Sequence, residues 1–299
     1  MLFKRLIASA AALSLSLGGC VAGSRVETPP RGAVPGPALW QVSDKDTTIY
    51  LFGTVHALPK DKNWFDSRIQ RAFDASTELV TEVDISDVGS STQALQAQGM
   101  LPEGQSLRDM MTPMDREEYE MALVSLGIPV ETLDRYEPWL AAMTLSLLPL
   151  LRAGYDTQSG VEMALGEKAG ADKKRGALET IEQQIELFDG MPVDAQLSFL
   201  DQTVEQIPKA SNTLDAMVAE WIEGDATELA RLMNSELTDP VLRDRLLIQR
   251  NANWADWIKR RLDTPGTVFI AVGAGHLAGK GSVQDQLRQR HVKVKRVWQ

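Results

Sequence analysis

The apolar positions change rhythm along the chain. From Leu39 to Phe52 (LWQVSDKDTTIYLF), two β-prone runs flank the turn-forming Ser43-Asp44-Lys45-Asp46, which predicts a hairpin. Asp66 to Ser76 shifts to helical spacing, with Ile69, Ala72 and Phe73 on one face. Leu79 to Val83 (LVTEV) reads as a mostly buried strand, so strand, helix and strand follow one another as a βαβ unit. From about residue 100 to 262 the pattern is mostly helical, with Met, Leu and Trp at intervals of three and four. Within it, Lys174 to Thr180 holds a short β-like stretch, and Arg243 to Leu262 is a long amphipathic helix whose Trp254 and Trp257 read as core. Trp139 to Leu151 is strongly apolar, but it is short and carries Pro149, so it predicts a buried core helix rather than a membrane span.

The chain closes with a second apolar strand, Thr267 to Val272 (TVFIAV), a helix from Ser282 to Arg290, and an alternating last strand, Val292 to Trp298. The fold expected is therefore α/β: a mixed β-sheet flanked by helices, with a large helical insertion (about 100–262) forming a cap on a domain that spans 39–299.

Each of the two apolar strands runs into the same motif. Gly53-Thr54-Val55-His56 follows the first, and Gly273-Ala274-Gly275-His276 follows the last. There are three histidines and 22 glycines in 299 residues, so chance seldom puts glycine three residues before two of them. Glycine at a strand end permits positive φ and close backbone approach, and α/β sheets bind ligands beyond the carboxyl ends of their strands. Neighbouring strands would bring His56 and His276 together. Glu82 lies at the end of LVTEV, where a buried acid is costly unless paired or metal-bound; Asp84 is the nearby alternative. Two imidazoles and a carboxylate are a usual donor set for a catalytic divalent ion. His291 lacks the glycine and reads as structural.

Composition narrows the alternatives. The formal net charge is −10 and no basic stretch occurs, which argues against nucleic-acid binding. The single cysteine excludes an intrachain disulfide, a cysteine-built zinc site and an iron–sulfur cluster. Gly273-Ala274-Gly275-His276-Leu277-Ala278 fits a dinucleotide fingerprint, but no ribose-binding acid follows at the required distance. There is no G-x-S-x-G elbow and no H-E-x-x-H.

Residues 1–19 carry Lys4 and Arg5 before an apolar run of about twelve residues, the form of a signal peptide. The run ends in Leu17-Gly18-Gly19-Cys20, which resembles a bacterial lipobox and places that cysteine at the one position lipidation requires. Residues 20–38 are then the lipidated Cys20 and a Pro/Gly-rich tether. The expected location is the outer membrane with the domain on the periplasmic face.

At these residues the chain resembles the TraB/PrgY/GumN family, which includes the Tiki metalloproteases. The resemblance runs from about Leu39 to the C-terminus. It rests on YLFGTVHALP (Tyr50–Pro59), LVTEVD (Leu79–Asp84) and FIAVGAGHLAGKGSV (Phe269–Val283). Weaker pieces are Gly154-Tyr155-Asp156, Leu178-Glu179-Thr180 and Arg250-Asn251. It implies a Tiki/erythromycin-esterase-like sheet and metal-dependent peptide cleavage, with His56, His276 and Glu82 as catalytic and metal-binding residues for manganese, cobalt or zinc. It further implies that Asp156, Glu179, Arg250 and Asn251 line the same cleft toward a peptide or protein substrate. Glu82 stays open between ligand and general base. Two other functions also stay open: a non-catalytic protein that sequesters a peptide or haem, and a metal-free, esterase-like hydrolase that activates water with a His–Glu pair.

Overall fold

The computed structural model describes residues 35–84, 93–95, 97–236 and 240–298. Cys20, the expected signal peptide and most of the expected tether lie outside them. Among the described residues one mixed sheet is built from β1 (Leu39–Ser43), β2 (Thr47–Thr54), β3 (Glu78–Thr81), β4 (Lys174–Ala177), β5 (Gly266–Gly273) and β6 (Val294–Arg296). The spatial order is β4-β3-β5-β2-β1-β6. The strands from β4 to β2 are parallel, and β1 runs antiparallel to both β2 and β6.

The hairpin expected from Leu39 to Phe52 is present. Asp44 closes its turn, with one carboxylate oxygen accepting from the backbone N–H groups of Asp46 (3.1 Å) and Thr47 (2.8 Å). The βαβ unit is present too, but β2 and β3 are not neighbours: β5, almost 200 residues later in the chain, lies between them. Helix α1 (Ser67–Ala75) makes the crossover and starts at Asp66, whose carboxylate accepts from the N–H groups of Arg68 and Ile69. Buried Arg68 ties both ends of the described chain to α1, donating to the carbonyls of Pro37 (2.6 Å) and Val297 (2.9 Å).

Side chains alternate across the central strands, and both sheet faces are covered, as parallel sheets require. On one face Ile49, Leu51, Val80, Val268, Ile270 and Val272 join Trp254 and Ile258 in a single core. On the other, Phe52 and Phe269 stack into an aromatic cluster with Trp64, Phe73 and Trp221.

Packing divides the described chain into two compact units. One comprises residues from 93–156 and 181–214, the other those from 35–84, 157–180 and 215–298. The helical unit contains α2 (Pro113–Ser125), α3 (Pro138–Arg152), α5 (Ile181–Asp189), α6 (Val193–Gln206) and the start of α7 (Ala210–Glu223). Helix α3 is the expected core helix: Trp139 to Leu145 are buried without a break, and Trp139 stacks on Phe188. Pro138 opens it, where a missing N–H costs nothing. No helix among the described residues is long and apolar enough to cross a membrane.

The sheet unit holds α4 (Val161–Ala169), the rest of α7, α8 (Ala226–Glu236), α9 (Gln249–Arg261) and α10 (Val283–Gln289). The helix expected from Arg243 is not regular at its start. A π-helical turn (Asp244–Ile248) leads into α9, a feature that recurs beside functional sites. The closing strand is shorter than its alternation suggests. His291 takes φ 61° and bonds its N–H to the carbonyl of Arg288, so it ends α10 instead of starting β6.

Candidate active site

The parallel pairing of β2 with β5 sets Gly53 opposite Val272 and Thr54 opposite Gly273. Both glycine–histidine motifs therefore leave the sheet at the same edge and level. On the other side of β5, Thr81 pairs with Ala271, which brings Glu82 to that edge as well. His56, Glu82 and His276 are all buried, His276 completely. The sequence-expected triad converges, and it does so within the sheet unit.

The glycines are needed for space and not, as expected from their type, for positive φ. Gly273 has φ −48°, and Gly53 is not in the positive-φ region. A Cβ on Gly53 would lie 3.1 Å from the Cα of Ala274, so the bare backbone lets the second motif pack against the first. A Cβ on Gly273 would lie 3.2 Å from Glu82 Oε1, 3.3 Å from His56 Nε2 and 3.7 Å from His276 Cδ2. Glu82, His56 and His276 thus line the volume this glycine leaves open.

Each ring is held through Nδ1. His56 Nδ1 lies 2.6 Å from Glu162 Oε1, and His276 Nδ1 lies 2.6 Å from Asn251 Oδ1. Both partners accept, so each imidazole in its neutral form carries its proton on Nδ1 and presents the Nε2 lone pair inward. Asn251 is fixed in turn by donating to the carbonyl of Gly281 (2.9 Å). His56 Nε2 is buried with no hydrogen-bond partner among the described residues. His276 Nε2 accepts from Arg250 Nη1 at 3.1 Å, and the ring packs against that of Trp254, tilted by 43° with centroids 4.3 Å apart.

Glu82 and Glu179 are joined by Arg250. Glu82 Oε1 accepts from the N–H of Gly273 (2.7 Å), and Oε2 from Arg250 Nη2 (2.7 Å). Glu179 accepts from Arg250 Nε and Nη2, and also from the indole N–H of Trp254 (2.9 Å). Three of the four expected cleft residues, Glu179, Arg250 and Asn251, thus sit in the cluster and are bonded within it. Asp156 is half-buried and belongs to the helical unit.

Two participants were not singled out from the sequence. Trp254 was read as core, and it is core, but its N–H also serves Glu179. Glu162 was missed altogether. It is the second residue of α4, and Glu162, Leu165 and Ala169 share the buried face of that helix. A carboxylate on an apolar helical face was the available signal.

The charges around the two rings push them apart. Burial works against a charged His56, but the Glu162 carboxylate beside it, with Glu82 further off, outweighs burial and holds the ring above its ordinary range. Burial, then Arg250, then His56 all lower His276, which stays neutral well below its ordinary range. This has a consequence for stability. The unfolded His276 takes up a proton below about pH 6.5 and the folded ring does not, so the unfolded state binds more protons there. Stability falls as the pH drops below that value, by up to about 1.4 kcal/mol per pH unit. His56 contributes in the opposite sense, its share being complete below pH 6.5 and lost as the pH rises through its folded value. Urea denaturation at pH 7 and pH 5 of wild type and His276→Gln checks the first effect: the wild type loses more stability on acidification than the variant. Equal losses would mean the ring titrates in the folded protein.

Residues 38–296 match the TraB/PrgY/gumN family. The chain belongs to this family. Among its relatives, an uncharacterized protein of Treponema pallidum is 26% identical over 285 residues, covering 88% of this chain and 85% of that one. YbaP of Escherichia coli is 26% identical over 246 residues, 80% and 88% of the two chains. The metalloprotease TIKI2 of Danio rerio is 26% identical over 300 residues, 82% of this chain but 57% of its own length. No solved structure matches. The α/β fold with its mixed sheet is that of the TraB/PrgY/gumN chain described here, and the paired motifs lie at the sheet edge of this family member.

Among the described residues no group of three His, Cys, Asp or Glu side chains is already arranged as a metal cage. The chemistry of the donors nevertheless fits a divalent ion. A buried, partnerless Nε2 faces a carboxylate oxygen across a volume that a Cβ would fill, and both rings are oriented through Nδ1, as ligating histidines are. His276 Nε2, by contrast, is engaged by Arg250 Nη1.

Proposed function

We propose that this member of the TraB/PrgY/gumN family is a metal-dependent hydrolase of peptide bonds. The observation that carries the reading is the convergence of His56 Nε2 and Glu82 Oε1 over Gly273, with His276 Nε2 beside them. The relatives named as metalloproteases support the choice of peptide over other acyl substrates. His56, His276 and Glu82 would hold manganese, cobalt or zinc. Bound there, such an ion polarises a carbonyl and lowers the pKa of a water molecule. The chain's own residues do the rest. Glu162 and Asn251 fix the two rings, and the N–H of Gly273 fixes Glu82. Arg250 places a positive charge beside the point where a carbonyl oxygen gains negative charge. The burial of the cluster keeps bulk water out and strengthens each of these interactions.

One observation favours a second reading. Arg250 already donates to His276 Nε2, and a guanidinium is a poor neighbour for a divalent cation. In a metal-free hydrolase His56, backed by Glu162, would take the proton of water as its oxygen adds to the carbonyl carbon. The amine would leave with that proton as the C–N bond breaks. Elemental analysis of the chain purified without chelators, together with turnover of a peptide library before and after chelation, separates the two. About one ion per chain, with activity lost on chelation and restored by the ion, is expected. Turnover without metal would select the second reading, and no turnover in either state would leave a binding protein.

The chain acts, on this proposal, at the periplasmic face of the outer membrane through a lipid on Cys20. Wild type then partitions with outer-membrane vesicles, whereas Cys20→Ala is recovered in the soluble fraction. Equal partitioning would refute the anchor.

A further inference from the structure

We propose that Glu162 is the positioning residue for His56, fixing its tautomer so that Nε2 is always the atom offered to the site. The inference rests on the hydrolase reading for its catalytic consequence, though not for its geometry.

The segment that delivers Glu162 is docked onto the first glycine–histidine motif at three successive residues. A Cβ on Gly160 would lie 2.3 Å from the carbonyl oxygen of His56, so a side chain there could not be accommodated against the backbone. The N–H of Val161 donates to the carbonyl of Val55 at 3.0 Å. Glu162 then points its carboxylate at His56 Nδ1, 2.6 Å away, and also accepts from the Thr54 hydroxyl. Thr54, Val55 and His56 are thus each gripped by the start of α4, from more than 100 residues away in the chain.

A purely structural ion pair would not need this arrangement. Glu162 is buried, at 8% exposure, and desolvating a carboxylate is costly. Its position in the first turn of α4 offsets part of that cost, because the helix dipole favours an anion there. What the arrangement secures is the identity of the protonated nitrogen. A hydrogen bond to one ring nitrogen decides which form the other takes, and partners of this kind behind a metal-binding histidine are typically worth about ten- to a hundredfold in affinity or activity. Asn251 does the same for His276, but with a neutral amide. The two rings are therefore oriented alike and backed differently: an anion stands behind His56 and a neutral group behind His276.

The test uses the full chain labelled with 15N-histidine, whose three histidines are separable, with Glu162→Ala and Glu162→Gln beside the wild type. In the wild type, neutral His56 shows a protonated Nδ1 and a bare Nε2. Glu162→Gln keeps an acceptor for Nδ1 and retains that pattern. Glu162→Ala loses it, and His56 shifts toward the Nε2-protonated form. Retention of the Nδ1-protonated ring in Glu162→Ala would overturn the proposal. Calorimetric titration with manganese, cobalt or zinc gives a second readout: Glu162→Ala weakens binding by about ten- to a hundredfold, and Glu162→Gln by less. Equal affinity in all three proteins would also overturn it. If the wild type binds none of these ions, the metal reading fails while the nitrogen spectra still decide the role of Glu162.

Discussion

Replacing His56 with asparagine lowers peptide turnover by at least the hundred- to ten-thousandfold that a catalytic proton-transfer group is worth, with little change in stability. The reasoning is geometric. The asparagine amide nitrogen falls near the place of Nδ1 and can still donate to Glu162, so the buried carboxylate keeps its partner. What disappears is Nε2, the buried ring nitrogen that lacks a hydrogen-bond partner among the described residues. His56→Ala removes both and adds a stability loss of about 1–3 kcal/mol, since Glu162 is left with an unmet bond. Steady-state kinetics beside thermal unfolding of both variants makes the check. An active His56→Asn enzyme would rule out every catalytic reading built on the paired motifs. An inactive but well-folded one locates the chemistry at this atom.

Arg250→Met has the largest expected effect on folding, a loss of about 3–5 kcal/mol. Arg250 is buried and satisfies Glu82, Glu179 and His276 together. Surrounding carboxylates hold its charge above the ordinary arginine range despite burial. Removing it leaves buried Glu82 and half-buried Glu179 without their counter-charge, which costs more than the pairs themselves contribute. On a total stability of about 5–15 kcal/mol for a typical domain, that loss lowers the urea midpoint by a large fraction. Adding Glu82→Gln and Glu179→Gln to Arg250→Met removes the stranded charges and recovers part of the loss. A loss under about 1 kcal/mol in Arg250→Met would mean the cluster is wetter and more loosely held than its geometry indicates.

These two predictions differ in how far the sequence anticipated them. His56 could be found from local pattern. An apolar β-prone run, a glycine and a histidine three residues on is a signal contained within ten residues, and its repetition at the other end of the chain marked it as chemistry. Asp66 before α1, Ser282 before α10 and the Asp44 turn were equally local, because capping and turn formation are settled within three or four residues. Arg250 was legible through family resemblance alone. Its partners lie 71 and 168 residues away, and nothing in the periodicity of α9 distinguishes it from the other basic residues of that helix.

By itself, then, the sequence determined the α/β class, the strand-end location of both histidines and the acid within LVTEV, Glu82. Those properties depend on side-chain alternation, on glycine and on the cost of burying a charge, all of which act between neighbours in the chain. The tertiary structure alone decided that β5 enters between β2 and β3, which turns two separate motifs and Glu82 into one cluster. It also decided that Glu162 backs His56 and that Arg250 bridges His276 to two carboxylates. The physical reason is that strand order and buried ion pairing are satisfied through space. Many sequence-distant partners have the right chemistry, and only the packed core selects which of them meet.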